Sequence, residues 1–396
     1  MRSGTWHPEA EDGPPLFVQA FAEAGRAAQI PGPLLRMPEG TTVHVIVANK
    51  LKMKTTVYGL NTRPCDAAAG VEILPGESHE FTFASGAPGT YYYWARTTEI
   101  LKTGSQRLVQ PLRADAQLNG AFIVDPAGSV AADRVFVINT MFAAADVIHP
   151  GFEVLSINGK LYPYTEPLEY TAGDRIRWRV INAGVAEHPM HLDGAFYDLL
   201  SLGSFDTDTA YPTGDRQSVV TENLAGGTTM MMEWTPEHAG RWLFPCHLQL
   251  HISTHERVPI FTRVTGEGES ASDAHASHGA MGAMNDMAGL VLVINVKPRS
   301  SASVRAAGRT PHKIDLLIEP NAGDAKSRTF SCSVFNHGTK HRLRVINMAP
   351  NLGANVQLGN RQHPVTWRAV AKDGATLPPR LAKSQDARLH IVSGEA

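Results

Sequence analysis

A ten-residue strand pattern recurs along the chain and limits what it can fold into. Gly173-Asp-Arg-Ile-Arg-Trp-Arg-Val-Ile-Asn182 echoes Gly40-Thr-Thr-Val-His-Val-Ile-Val-Ala-Asn49, and Lys340-His-Arg-Leu-Arg-Val-Ile-Asn347 carries the pattern a third time. Val43, Val45 and Val47 alternate with their neighbours, the period of a half-buried strand. A second echo follows the first in the same order: Gly89-Thr-Tyr-Tyr-Tyr93 is matched by Gly240-Arg-Trp-Leu-Phe244. Two echoes in one order argue for an internal duplication of a strand-built unit. With 35 glycines, 26 prolines and few helical patterns, the chain reads as all-β, with short strands and many turns.

The first unit, residues 1–128, carries expected strands at Thr55–Gly59, Ser78–Ala84, Gly89–Thr97 and Ala121–Val124, with turns at Pro75-Gly76 and Ala87-Pro88-Gly89. A short helix is expected over Phe17–Ala28. The second unit, residues 129–298, opens at Arg134-Val-Phe-Val-Ile-Asn139, with further strands at Glu153–Asn158, Gly173–Asn182, Gly240–Phe244 and Gly289–Val296. Residues 265–286 have the Gly/Ser/Ala/His/Met composition of a mobile loop. The third unit, residues 299–396, has expected strands at Lys313–Ile318, Phe330–Val334, Arg342–Asn347, Pro364–Ala371 and Arg388–Val392. It leaves little room for the closing strands of a sandwich and reads as partial.

The formal net charge of −2 implies no polyanion, so no nucleic-acid partner is expected. No apolar run is long enough to cross a bilayer, and the N-terminus shows no secretory h-region. Three cysteines are too few for a disulfide framework. Cys65 and Cys332 lack metal-type neighbours and read as packing thiols.

Cys246 differs. In Arg241-Trp-Leu-Phe-Pro-Cys-His-Leu-Gln-Leu-His251 it follows an apolar strand, with His247 next to it and His251 five positions on. A thiolate and an imidazole so close suit a soft transition metal such as copper, given a second His and a weak axial ligand from elsewhere. His188-Pro-Met-His191 offers the His and Met287 the thioether. A zinc site and a buried structural cysteine are the competing readings.

Together, four segments resemble the multicopper oxidases, whose domains are cupredoxins. They are Thr55-Thr-Val-Tyr-Gly-Leu60, Gly89-Thr-Tyr-Tyr-Tyr-Trp94, His188-Pro-Met-His-Leu-Asp-Gly194 and Cys246-His-Leu-Gln-Leu-His251. The resemblance implies tandem cupredoxin-like Greek-key β-sandwiches with a type 1 copper held by His188, Cys246, His251 and Met287. The axial ligand normally lies ten positions after the Cys, here Glu256. Met287 is preferred because Asp286-Met-Ala-Gly-Leu-Val-Leu292 resembles the family's axial-Met context, which makes residues 252–286 an insertion.

The family's trinuclear copper cluster is held by His-x-His pairs, and here most are replaced. Tyr58 and Asn61 stand near the first pair, Trp94 and Arg96 at the second, Asp193 beside His191, and Pro245 before Cys246. His191 and His247 remain as remnant cluster ligands, able to hold one copper weakly or to serve as satisfied interface histidines. None of Trp, Arg or Pro supplies a copper ligand, so four-electron reduction of dioxygen is not expected. The expected function is one-electron copper oxidoreduction with a small reductant or an electron-transfer protein. The alternative is a non-catalytic cupredoxin-repeat scaffold. No catalytic side chain beyond metal ligands is expected. The resemblance favours an exported protein, periplasmic or extracellular, while the sequence itself does not name the compartment. His275, His278, Met281 and Met284 are candidate copper-capturing residues of the loop, or incidental to it.

Overall fold

The computed structural model describes residues 1–13, 15–97, 117–129, 132–143, 152–248, 251–252 and 289–299, together with the segments 312–318, 341–347, 354–357, 365–372, 375–376 and 383–391. Every named element among the described residues is a strand. None of them forms a helix long and apolar enough to cross a membrane.

The expected duplication is visible in the strand pairing. In the first sandwich Gly32–Pro38 runs parallel to Asn119–Asp125. That strand pairs antiparallel with Gly89–Thr97, which pairs with Thr55–Tyr58, which pairs with Val71–Ile73. The second sandwich repeats the order. Leu168–Thr171 runs parallel to Val291–Lys297, which pairs antiparallel with Gly240–Pro245. A bridge from Cys246 to Met190 then joins His188–His191, itself antiparallel to Thr221–Leu224. The facing sheets correspond too: Thr42–Ala48 with Ser78–Ala84, and Ile176–Asn182 with Thr228–Trp234. These are tandem cupredoxin-like Greek-key sandwiches. In the third unit His312–Ile318 pairs in parallel with His341–Asn347, as Asp133–Ala143 does with Ile176–Asn182. The expected strand Phe330–Val334 lies outside the described residues.

The helix expected over Phe17–Ala28 does not form. Leu16–Ala20 is a strand, antiparallel to Arg2–Trp6. Tertiary packing decides this: Val18 and Ala20 bury against Met141 and Val154 of the second sandwich, and alternation delivers those two side chains to one face.

Alternation also explains why both faces of two strands are apolar. In Gly89–Thr97, Tyr91, Tyr93 and Ala95 enter the first core, while Tyr92 packs with Ala121, Ile123, Val137 and Ile181 between the sandwiches. In Ile176–Asn182, Ile176, Trp178 and Val180 enter the second core. Trp178 is fully buried, with Phe136, Trp234 and Phe244 edge-on around it. Of the three consecutive methionines, Met230 and Met232 are in that core.

The joint between the sandwiches is also polar. The Thr90 N–H donates to Asp208 Oδ2 at 2.7 Å, its hydroxyl accepts from Arg179 Nη1 at 2.7 Å, and its carbonyl accepts from the Thr229 hydroxyl at 3.0 Å. Arg179 and Arg36 both bind Asp133, at 2.8 and 2.6 Å. Buried ions persist when each is paired and hydrogen-bonded, as these are.

Candidate metal centre

Three backbone ties bring distant residues to one end of the second sandwich. The strand Gly240–Pro245 delivers Cys246, whose N–H donates to the Leu290 carbonyl at 2.9 Å. The His247 N–H donates to the Pro189 carbonyl at 2.7 Å, which places His188 beside the cysteine. His251 closes a turn onto the Leu248 carbonyl at 2.9 Å, and its own carbonyl accepts from Leu290 at 3.1 Å. Gly289, at φ +69°, makes that last contact possible: a Cβ there would lie 2.3 Å from the His251 carbonyl oxygen.

His188 Nδ1 and His251 Nδ1 stand 3.0 Å apart, and Cys246 Sγ lies 3.8 and 3.5 Å from them. These form the group of metal-type donors found among the described residues. A point equidistant from the three atoms lies about 2 Å from each, close to the lengths of metal–imidazole and metal–thiolate bonds. The donor set therefore fits a single soft transition ion. His188 and Cys246 are fully buried and His251 is half-buried. Trp242, Leu243 and Phe244 are buried in the strand that leads to the cysteine, so the thiol sits at the edge of a dry core.

Burial sets the protonation states. Burial first, then the neighbouring His251, pushes the His188 imidazole down to about 3. Burial also lowers His251, against an opposing pull from Glu187. Burial pushes the Cys246 thiol up to about 12, with the Leu248 backbone opposing. Both imidazoles thus present free lone pairs at neutral pH, whereas the thiol keeps its proton until a cation replaces it. Met287, the expected axial ligand, and Glu256 lie outside the described residues, as do the histidines and methionines of the loop.

The remaining site residues lie on the other side of the same ribbon. Alternation about the Met190–Cys246 bridge sends His188 and Cys246 one way and His191 and His247 the other. The His191 and His247 rings stand edge to face, centroids 5.0 Å apart. In the first sandwich, the positions where the resemblance places cluster histidines are filled by aromatic packing. Tyr58 stacks on Trp94 at 4.3 Å, and Phe205 of the second sandwich meets the Trp94 edge at 5.8 Å. Asn61 accepts from Arg63 Nη1 at 2.7 Å. Sequence reading missed Thr221, whose hydroxyl lies 2.8 Å from His191 Nδ1. A strand partner thirty residues away leaves no local signal.

Sequence models of the multicopper oxidases match residues 23–127 and 134–260, together more than half the chain. The chain belongs to the multicopper oxidase family. At the level of the family, the cofactor is copper. The chain is 25% identical over 272 residues to a probable nitrite reductase-hydroxylamine oxidoreductase fusion protein of Kuenenia stuttgartiensis, covering 61% of this chain and 29% of that one. It is 26% identical over 141 residues to laccase-2 of Fomitopsis schrenkii, covering 35% and 23%. The chain thus spans less than a third of these curated relatives. Among solved structures, the multicopper oxidase mgLAC superposes with TM-score 0.50 at 21% identity, covering 76% of this chain and 86% of that one. The Cu-containing nitrite reductase of Thermus scotoductus SA-01 gives TM-score 0.50 at 13% identity, covering 99% and 90%. These two likenesses concern the fold.

Proposed function

We propose that this chain is a one-electron copper oxidoreductase whose metal is held by His188, Cys246 and His251, with Met287 as the axial thioether. The observation that carries the reading is the pair of Nδ1 atoms and the Sγ set at metal-sharing distances. Copper at this donor set supplies single-electron exchange between its two common oxidation states. The chain's part is to hold the donors and keep water away. His188 is fixed by its strand, Cys246 by its N–H bond to Leu290, and His251 by the turn on Leu248. The core strand behind the thiol excludes solvent. His251 is the donor nearest the surface, beside exposed Leu248, and is the point where a small reductant or a partner protein would approach. An exported location goes with this reading.

Reduction of dioxygen by four electrons is not part of the proposal. The Tyr58–Trp94 stack occupies the place of first-sandwich cluster ligands and offers no imidazole. The same stack favours the second reading, a scaffold that kept the fold without the oxidase.

An optical spectrum of oxidised, copper-loaded protein, with metal counted on the same sample, tests the proposal. An intense blue thiolate-to-copper band that disappears in Cys246→Ala supports it. Colourless protein after copper loading overturns it and leaves the scaffold.

A further inference from the structure

We propose that Thr165 is a positioning residue for the metal centre, acting through the segment Gly289-Leu-Val291 on the backbones of both Cys246 and His251. The inference deepens the function proposed above and rests on that reading of the thiolate trio. The segment bonds in two directions. On one side Leu290 accepts the Cys246 N–H at 2.9 Å and donates its own N–H to the His251 carbonyl at 3.1 Å. On the other side the Gly289 carbonyl accepts the Tyr162 N–H at 3.1 Å, and the Val291 carbonyl accepts the Thr165 hydroxyl at 2.9 Å. Successive peptide groups of an extended chain face opposite edges, so one short segment can serve both neighbours.

Thr165 stands where the sheet runs out of backbone donors. Leu168 lies opposite Ile294 in the parallel pairing of Leu168–Thr171 with Val291–Lys297, and the same register carried back three residues puts Thr165 opposite Val291. Pro167 precedes that strand and has no N–H to donate. The Thr165 hydroxyl extends the contact beyond it. Thr165 and Val291 are both buried, so the bond is made away from water, and removing the hydroxyl leaves a carbonyl that solvent does not reach. The loop that carries Thr165 is itself anchored at its other end. Trp6 Nε1 donates to the Gly159 carbonyl at 2.6 Å, and the Leu161 N–H donates to the Pro8 carbonyl at 2.9 Å. Lys160 Nζ donates to the His7 and Glu9 carbonyls at 2.8 and 3.0 Å. Gly159, at φ +77°, lies so close that a Cβ there would come within 2.3 Å of the Ile30 carbonyl oxygen. The N-terminal segment thus holds the loop, the loop holds Gly289-Leu-Val291, and Leu290 holds both donors. Of the two bonds from loop to segment, the one from Tyr162 is backbone and the one from Thr165 belongs to a side chain. Groups that orient metal ligands from outside the donor set tune both affinity and electronic character.

The test is Thr165→Val in the full chain, which keeps the branched shape and removes the hydroxyl, with Thr165→Ser as the rescue. In the empty protein, native-state amide exchange at Leu290 and Cys246 should quicken about tenfold in Thr165→Val while the Trp178 amide in the neighbouring core is unchanged. Thr165→Ser should return both amides to the unaltered rates. In copper-loaded protein, Thr165→Val should bind copper about tenfold more weakly and shift the blue band, and Thr165→Ser should match the unaltered chain. A merely structural role would speed exchange everywhere alike and leave the band in place, and that result overturns the proposal. So does Thr165→Ser behaving as Thr165→Val does. If the unaltered chain gives no blue band, the copper reading fails, and exchange at Leu290 in the empty protein still decides the positioning role. Should Thr165→Val not fold, Lys160→Met loosens the other end of the loop. Quickened exchange at Leu290 with Trp178 unchanged then supports the proposal, and unchanged exchange at Leu290 overturns it.

Discussion

Because the imidazoles are already neutral and the thiol is not ionised, copper uptake at the trio should release one proton, and that proton should come from Cys246. The thiol stands at about 12. Ionising it in the empty site at neutral pH therefore costs about 7 kcal/mol, which the metal–sulfur bond must offset. His188, at about 3, and His251, lowered from its ordinary value, contribute no proton above about pH 7. The apparent affinity should then rise tenfold per pH unit, about a hundredfold (roughly 3 kcal/mol) between pH 7 and 9. The assay is copper(I) competition against a chelator of known pH-dependent affinity, repeated with Cys246→Ser, in which the slope should flatten. A slope near zero in the unaltered chain would show that Cys246 is already ionised or does not ligate. A slope near two would show that a histidine also loses a proton. The empty protein should behave in the opposite sense. A thiol raised above its ordinary 9.0 contributes stability that is whole below pH 9 and lost as pH climbs toward 12, about 4 kcal/mol in all.

Three other perturbations are informative. His188 is buried neutral, lowered from 6.5 to about 3, so the unfolded chain takes up a proton first and stability is lost as pH falls through that window. Urea midpoints of empty protein at pH 6.5 and 4.5 should reflect a loss of about 2 kcal/mol from this residue, and His188→Gln should abolish that part. Gly289→Ala pushes a Cβ against the His251 carbonyl, so it should weaken or abolish the blue band while leaving the far-ultraviolet spectrum of the sandwiches intact. Asp133→Ala takes one carboxylate from Arg36, which keeps Asp125, and leaves Arg179 with the Thr90 hydroxyl and a longer contact to Asp125, so it should cost about 1–3 kcal/mol in chemical denaturation. Asp133→Asn, which keeps hydrogen-bonding capacity, should cost less.

The sandwiches were legible because their strands carry period-2 alternation and are punctuated by glycine and proline. The duplicated echo around Gly40 and Gly173 corresponds to equivalent strands of the two sandwiches, one on either side of the joint. The residues 17–28 misled because their apolar spacing is ambiguous locally; only the docking of Val18 and Ala20 onto Met141 decides for a strand. At the metal centre, Cys246 and His251 share one short segment, and His188 belongs to a recognisable motif. Thr221, Asp208 and Thr90 were invisible because they act through strand pairing or across the joint, where partners are far apart in sequence. The grip of Asp208 on the Thr90 N–H, for instance, spans 118 residues.

The aromatic stack of Tyr58 on Trp94 makes one part of the molecule a product of its sequence alone. Its two rings and the edge of Phe205 are built in with the chain, so this face can be assembled during synthesis with no imported part.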